Sequence, residues 1–115
     1  MKTALMETLL IVDAYALLYR AHFAFLQRPL LTADGRNTSA AFGFLRSFLE
    51  CVEEEKPGYI AVVFDPKGGS FRNQLSADYK ADRPPTPDAV RYGAEKIGEL
   101  LPLLGIKTLV EPGFE

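Results

Sequence analysis

"TLLIVDAYALLYRAHFAF", residues 8–25, changes its period at a single residue. Apolar side chains run unbroken from Leu9 to Val12 and stop on Asp13, the pattern of a strand at about 8–13 buried on both faces of a parallel sheet. Beyond Asp13 the apolar residues return at helical spacing, so a helix is expected to begin where the strand ends. The same design recurs in "YIAVVFD", residues 59–65, which also closes on an acid, Asp65. A third run, "IKTLVE" at 106–111, leads through Pro112-Gly113 to a final carboxylate, Glu115.

The stretches between these runs read as helices and loops. "LQRPLLTADGRN" is a loop marked by Pro29 and the turn pair Asp34-Gly35. "NTSAAFGFLRSFLECVEEEK" opens with the cap candidates Asn37, Thr38 and Ser39 and closes before Pro57-Gly58; Phe42, Leu45, Phe48, Leu49 and Val52 form its expected apolar stripe. "FRNQLSADYKADR" predicts a short helix ended by Pro84-Pro85. "TPDAVRYGAEKIGELLPLLG" predicts a longer one, with Thr86 as cap, Pro87 at its first position, and Pro102 kinking or ending it before Gly105. Alternation of strands with helices implies right-handed crossovers and an α/β fold, a parallel sheet with helices on both faces.

Composition narrows the function classes. With 115 residues, 48% hydrophobic and 24% charged, the chain has material for one globular domain or part of one. A single cysteine, Cys51, excludes a disulfide framework and suits helix core in a reducing compartment, so the cytoplasm is expected. "MKTALMETLLIVDAYA" imitates a signal peptide, but Glu7 and Asp13 interrupt its apolar part, and no run is long enough to span a bilayer. The formal net charge of −2 does not announce a nucleic-acid binder, so any such role must rest on local patches.

In a parallel sheet, ligands bind outside the carboxyl ends of the strands. That edge is where Asp13, Asp65 and Glu115 are expected to gather. Either Asp could simply cap the helix after it. Crowded together, carboxylates repel one another, and a divalent cation held by oxygen ligands relieves that repulsion. Asp65 is followed by "PKGGSFRNQLSADYKADR", which brings Lys67, Arg72, Lys80 and Arg83 near the same edge. On a helix, Arg72, Tyr79 and Arg83 share roughly one face, with Lys80 beside it. Cations beside a ring suit a phosphodiester with an exposed base; a solvated helix balanced by Asp78 and Asp82 fits the same spacing. Gly68-Gly69 lacks a phosphate-loop pattern and reads as a turn, and His22 reads as a surface or satisfied histidine.

"LLIVDAYALLYRAHFAF", "NTSAAFGFLRSF", "AVVFDPKGGSFRNQLSADYKADRPPTPD" and "VEPGFE", in this order and spacing, resemble the start of the 5′ nuclease, flap endonuclease-like domain of bacterial DNA polymerase I. The resemblance covers nearly the whole chain and implies a PIN-like or Rossmann-like three-layer αβα fold with a mostly parallel sheet, incomplete at its C-terminus. It further implies two Mg²⁺ or Mn²⁺ ions, with Asp13, Asp65 and Glu115 as ligands, Glu115 being the first acid of a Glu-Ala-Asp-Asp motif. On this reading residues 1–115 are the N-terminal part of a 5′ nuclease domain interrupted within its active site, inactive alone, with the rest of the nuclease and the polymerase domains beyond it.

By the same resemblance Lys80 and Arg83 are catalytic, Arg72 and Tyr79 contact DNA, and Arg20 stands near the scissile phosphate, where it could equally be a charge satisfying the helix dipole; Thr38 and Ser39, at the start of the second helix, could receive a DNA phosphate. The substrates implied are DNA with a 5′ flap or nick and RNA primers, with no membrane and no protein partner expected. Ala14-Tyr15 stands where relatives frequently carry Gly-Ser. A PIN-type ribonuclease would share the acids without requiring "FRNQLSADYKADRPP". A receiver-like signalling domain or doubly wound binding module would use Asp65 as a phosphate acceptor or surface acid, but the sequence lacks the paired acids after the first strand with which a receiver holds its ion.

Overall fold

Three apolar runs pair side by side in a computed structural model that describes residues 8–64 and 85–110. They form β1 (Leu9–Asp13), β2 (Tyr59–Phe64) and β3 (Lys107–Val110), all parallel in the order β1-β2-β3. In register Leu9 opposes Tyr59 and Asp13 opposes Val63, while Ala61 opposes Lys107 and Phe64 opposes Val110. The strands therefore all end at one edge, as the α/β reading requires. The short helix expected within 71–83 lies outside the described residues.

Helix α1 (Ala14–Ala24) starts in the residue after β1. Asp13 makes this possible: its backbone is extended, and its Oδ1 accepts a hydrogen bond from the Ala16 N–H at 3.2 Å. Helix α2 (Ser39–Glu55) begins after the loop, and Asn37 supplies the cap bond, its Oδ1 accepting from the Ser39 N–H at 3.0 Å. Thr38 holds the N-cap position but makes no side-chain cap bond. The helix closes before Pro57 as expected, with Lys56 left-handed at φ 45°.

Helix α3 (Asp88–Leu103) corrects the expected cap. Pro87, not Thr86, takes the N-cap position, and its extended backbone presents a carbonyl that accepts from the Val90 and Arg91 N–H groups, each at 3.0 Å. The Thr86 Oγ1 instead accepts a long hydrogen bond from the Tyr19 hydroxyl at 3.4 Å. Pro102 sits inside the last turn, where its missing N–H removes only one helical bond. Three residues later Gly105, at φ 80°, ends the helix: its N–H bonds the Pro102 carbonyl and the Ile106 N–H bonds that of Leu101, each at 3.0 Å. That pairing satisfies carbonyls the helix would otherwise leave open.

Val12, Val62 and Phe64 face the helices and join Leu18, Ala40, Phe44, Phe48, Val90, Ile97 and Leu101 in one core. The stripe expected on α2 is rotated. Phe42 and Leu49 are 45% and 57% exposed, and the buried face runs through Ala40, Gly43, Phe44 and Phe48. Gly43 sets that rotation by close approach: a Cβ there would overlap Ala21 Cβ and lie 3.3 Å from Ala21 Cα. Gly93 does the same for α3, since its Cβ would meet the Ala41 nitrogen at 3.2 Å. The three described helices touch one another and cover one face of the sheet; the other face is open to solvent at Leu9, Ile11 and Tyr59. Among the described residues no helix is long and apolar enough to cross a membrane.

Candidate functional site at the carboxyl edge of the sheet

Asp13, Phe64 and Val110 are the last residues of the three strands and mark the carboxyl edge. Asp13 is exposed there. Its Oδ1 takes the α1 cap bond, so the capping role and the open position at the strand end coexist in one carboxylate. Such an oxygen donor, at a strand terminus and facing solvent, fits Mg²⁺ or Mn²⁺. The other two expected ligands, Asp65 directly after β2 and Glu115 five residues beyond β3, lie outside the described residues. Among the described residues no group of three His, Cys, Asp or Glu side chains comes together as a metal cluster. Arg72, Tyr79, Lys80 and Arg83 also lie outside the described residues.

Arg20 is exposed on α1, seven residues after Asp13 and so on the same side of the helix, about 10 Å along its axis. A side chain of that length can reach toward the edge that Asp13 marks. Thr38 and Ser39 do stand at the start of α2, but their hydroxyls are committed to the preceding loop. The Thr38 Oγ1 donates to the Leu30 carbonyl at 3.1 Å, and the buried Ser39 Oγ accepts from the Leu30 N–H at 2.8 Å. These bonds pin residues 30–39 as a unit, with Leu31 and Asn37 bridged across it.

Two features were not legible from spacing. His22 is half-buried rather than a satisfied histidine: its Nδ1 is buried with no hydrogen-bond partner among the described residues, and its ring meets Phe23 edge-on at 5.0 Å. It lines a cleft with Tyr15, Arg36, Phe64, Tyr92 and Thr108. The second feature is a cationic cluster on that cleft's rim, with Arg36 4.3 Å and Lys96 5.7 Å from the centre of the Tyr92 ring. Arg36 and Tyr92 are too far apart in the chain for any local pattern to join them. In the loop, Asp34 accepts from the Thr32 hydroxyl, which with the Arg36 backbone N–H holds its carboxyl below the usual Asp value.

Residues 8–115 match the 5′-3′ exonuclease N-terminal resolvase-like domain. The chain belongs to this family. Relatives of this 5′-3′ exonuclease N-terminal domain are named as a 5′-3′ exonuclease or as DNA polymerase I. A 5′-3′ exonuclease of Aquifex aeolicus is 41% identical over 96% of this chain, which spans 37% of that protein. A DNA polymerase I of Synechocystis is 36% identical over 93% of the chain and the thermostable DNA polymerase I of Thermus thermophilus 40% identical over 92%; the chain spans 11% and 12% of them. An exonuclease N-terminal domain thus accounts for a parallel sheet that ends on an exposed acid.

Proposed function

We propose that this chain is the amino-terminal part of a divalent-metal-dependent 5′ nuclease of a DNA polymerase I, hydrolysing phosphodiesters at 5′ flaps, nicks and RNA primers. The observation that carries the reading is Asp13: an exposed carboxylate closing the first strand of a domain that belongs to the 5′-3′ exonuclease family. Asp13, Asp65 and Glu115 would hold the metal. When bound, two such ions make water a better nucleophile and stabilise both the attacking and the leaving oxygen of an in-line displacement.

The chain's own residues do the remaining work. Lys80 and Arg83 offset the charge gained by the phosphate as the water oxygen bonds to phosphorus and the bond to the leaving oxygen breaks. Arg72 and Arg20 hold neighbouring phosphates, and Tyr79 stacks on the terminal base. At the start of α2, a DNA phosphate would draw on the positive end of the helix, because the Thr38 and Ser39 hydroxyls serve the loop.

The test is a hybrid in which residues 8–115 replace the matched stretch of the Aquifex exonuclease. Mg²⁺-dependent cleavage of a 5′-flap DNA by the hybrid is expected, with no cleavage above background by the 115-residue chain alone. A hybrid that folds and binds flap DNA yet leaves it intact would overturn the nuclease reading.

A further inference from the structure

The loop between α1 and α2 carries the sequence's single Asp-Gly pair, Asp34-Gly35, and the sequence has no Asn-Gly pair. Glycine after an acid matters chemically, because no Cβ shields its nitrogen from the carboxyl carbon of the residue before it. When the Gly35 nitrogen attacks Asp34 Cγ, a C–N bond forms, and the carboxyl hydroxyl leaves as water with the amide proton. The five-membered imide then takes up water at one of its two carbonyls. Opening at Cγ restores aspartate. Opening at the backbone carbonyl leaves isoaspartate, whose main chain runs through Cβ and Cγ and is one carbon longer. Water is lost and regained, and nothing is oxidised or reduced.

The fold restrains both atoms that must react. Residues 31–37 form a small hairpin: Leu31 and Asn37 bridge antiparallel, the Thr32 N–H donates to the Arg36 carbonyl at 2.9 Å, and Gly35 is left-handed at φ 93°. The Gly35 N–H, the nucleophile's proton, is tied to the Thr32 carbonyl at 2.9 Å. Asp34 Oδ1 accepts from the Thr32 hydroxyl, whose oxygen accepts in turn from the Arg36 N–H at 2.9 Å. The Thr32 hydroxyl, and after it the Arg36 N–H, hold the Asp34 carboxyl below its ordinary value. Since the protonated carboxyl is the form that loses water, the reactive form is scarcer here than in an unfolded chain. Asp13 and Asp88, also described, are each followed by an alanine at a helix start, where a Cβ hinders the attack.

We propose that Asp34-Gly35 is the site of a spontaneous covalent modification of this chain, isomerisation to isoaspartate, that Thr32 restrains it in the folded state, and that its completion frees Arg36 from Tyr92. Arg36 lies two residues beyond Asp34, with its guanidinium carbon 4.3 Å from the centre of the Tyr92 ring on α3. The added carbon falls between Thr32 and Arg36, so the pairing that aims Arg36 at the ring loses its register. None of this depends on the nuclease chemistry.

The experiment incubates the 115-residue chain, its Thr32→Val and Thr32→Ser variants and the guanidinium-unfolded parent at neutral pH and 37 °C. Isoaspartate is counted by separating the equal-mass tryptic peptides that end at Arg36, with circular dichroism checking that each variant is folded. The unfolded parent should isomerise at least about tenfold faster than the folded one, and Thr32→Val at least about threefold faster, while Thr32→Ser keeps the hydroxyl and the parent rate. Hydrogen exchange tests the restraint without a variant: the Gly35 amide of the folded parent should be protected at least about tenfold. In the isomerised fraction, the NMR signals of the Arg36 side chain should lose their ring-current shift. A folded parent that isomerises as fast as the unfolded one, a Thr32→Val chain no faster than the parent, or an unprotected Gly35 amide would overturn the restraint. Isoaspartate accumulating at Asp88 instead of Asp34 would overturn the site, and unshifted Arg36 signals would overturn the release from Tyr92.

Discussion

Replacing Gly43 with Ala tests the packing that sets the rotation of α2. Two effects oppose each other. Alanine in a helix interior is favoured over glycine by about 1 kcal/mol. Against that, the new Cβ would overlap Ala21 Cβ, lie 3.3 Å from Ala21 Cα and reach 3.7 Å from Phe25 Cε2. Ordinary carbon contacts fall at about 3.5–4.0 Å, and neither the Ala21 methyl nor its backbone can rotate aside, so α1 and α2 must separate. Separation loosens Leu18 and Phe44, both fully buried. Overpacking of this kind costs about 1–3 kcal/mol, and the rigid obstacle puts this case at the upper end. A net loss of about 1–2 kcal/mol is expected in urea unfolding followed by far-UV circular dichroism. Adding Ala21→Gly moves the methyl from one helix to the other, and should return stability to within about 1 kcal/mol of the parent. A Gly43→Ala chain at least as stable as the parent, or a double variant worse than the single, would refute the close-approach argument.

At Asp13 the cap and the proposed ligand can be separated in the hybrid: Asn keeps an Oδ1 for the Ala16 N–H and Ala does not. Both substitutions should lower flap cleavage on the order of 100-fold or more, while only Ala should cost about 1 kcal/mol of stability. Lys80→Ala in the hybrid should lower the cleavage rate on the order of 100-fold with stability changed by about 0.5 kcal/mol or less; wild-type rates would return that lysine to a solvated surface. Ser39→Ala should destabilise the chain by about 1–3 kcal/mol in urea, because the Leu30 N–H loses its acceptor at 2.8 Å in a part-buried setting. Asp34, its pKa held below the ordinary 3.8, should stabilise the 30–38 loop above that pH and release it as pH falls through the depressed value; NMR titration of its carboxyl should find a midpoint below an ordinary Asp, and a midpoint at or above 3.8 would contradict the Thr32 bond.

Strand positions were legible because a short apolar run ending on an acid has few other readings, and β1 and β2 lie within a residue of where the pattern puts them. The rotation of α2 was not. Phe42 and Phe44 are equally apolar, and the choice between them is made by Gly43 meeting Ala21 on another helix, which no periodicity encodes. The cap of α3 was misread because Thr86 is a good capping residue locally, yet its hydroxyl is taken up by Tyr19 across the fold. At the candidate site, the helix-capping role of Asp13 and its place at the end of the first strand were legible. His22 was not, because an aromatic at helical spacing does not reveal whether its nitrogen meets a partner.

The junction of β1 and α1 contains no connecting residue: Asp13 is the last of the strand and the cap of the helix. An insertion of one residue after it would turn α1 by about 100°, carrying Leu18 out of the core and Arg20 off the side shared with Asp13. Length changes at this point are therefore forbidden to any working descendant of the sequence. The loop between α1 and α2 has room to absorb them, so drift in chain length should accumulate there and leave the spacing from Asp13 to Arg20 intact.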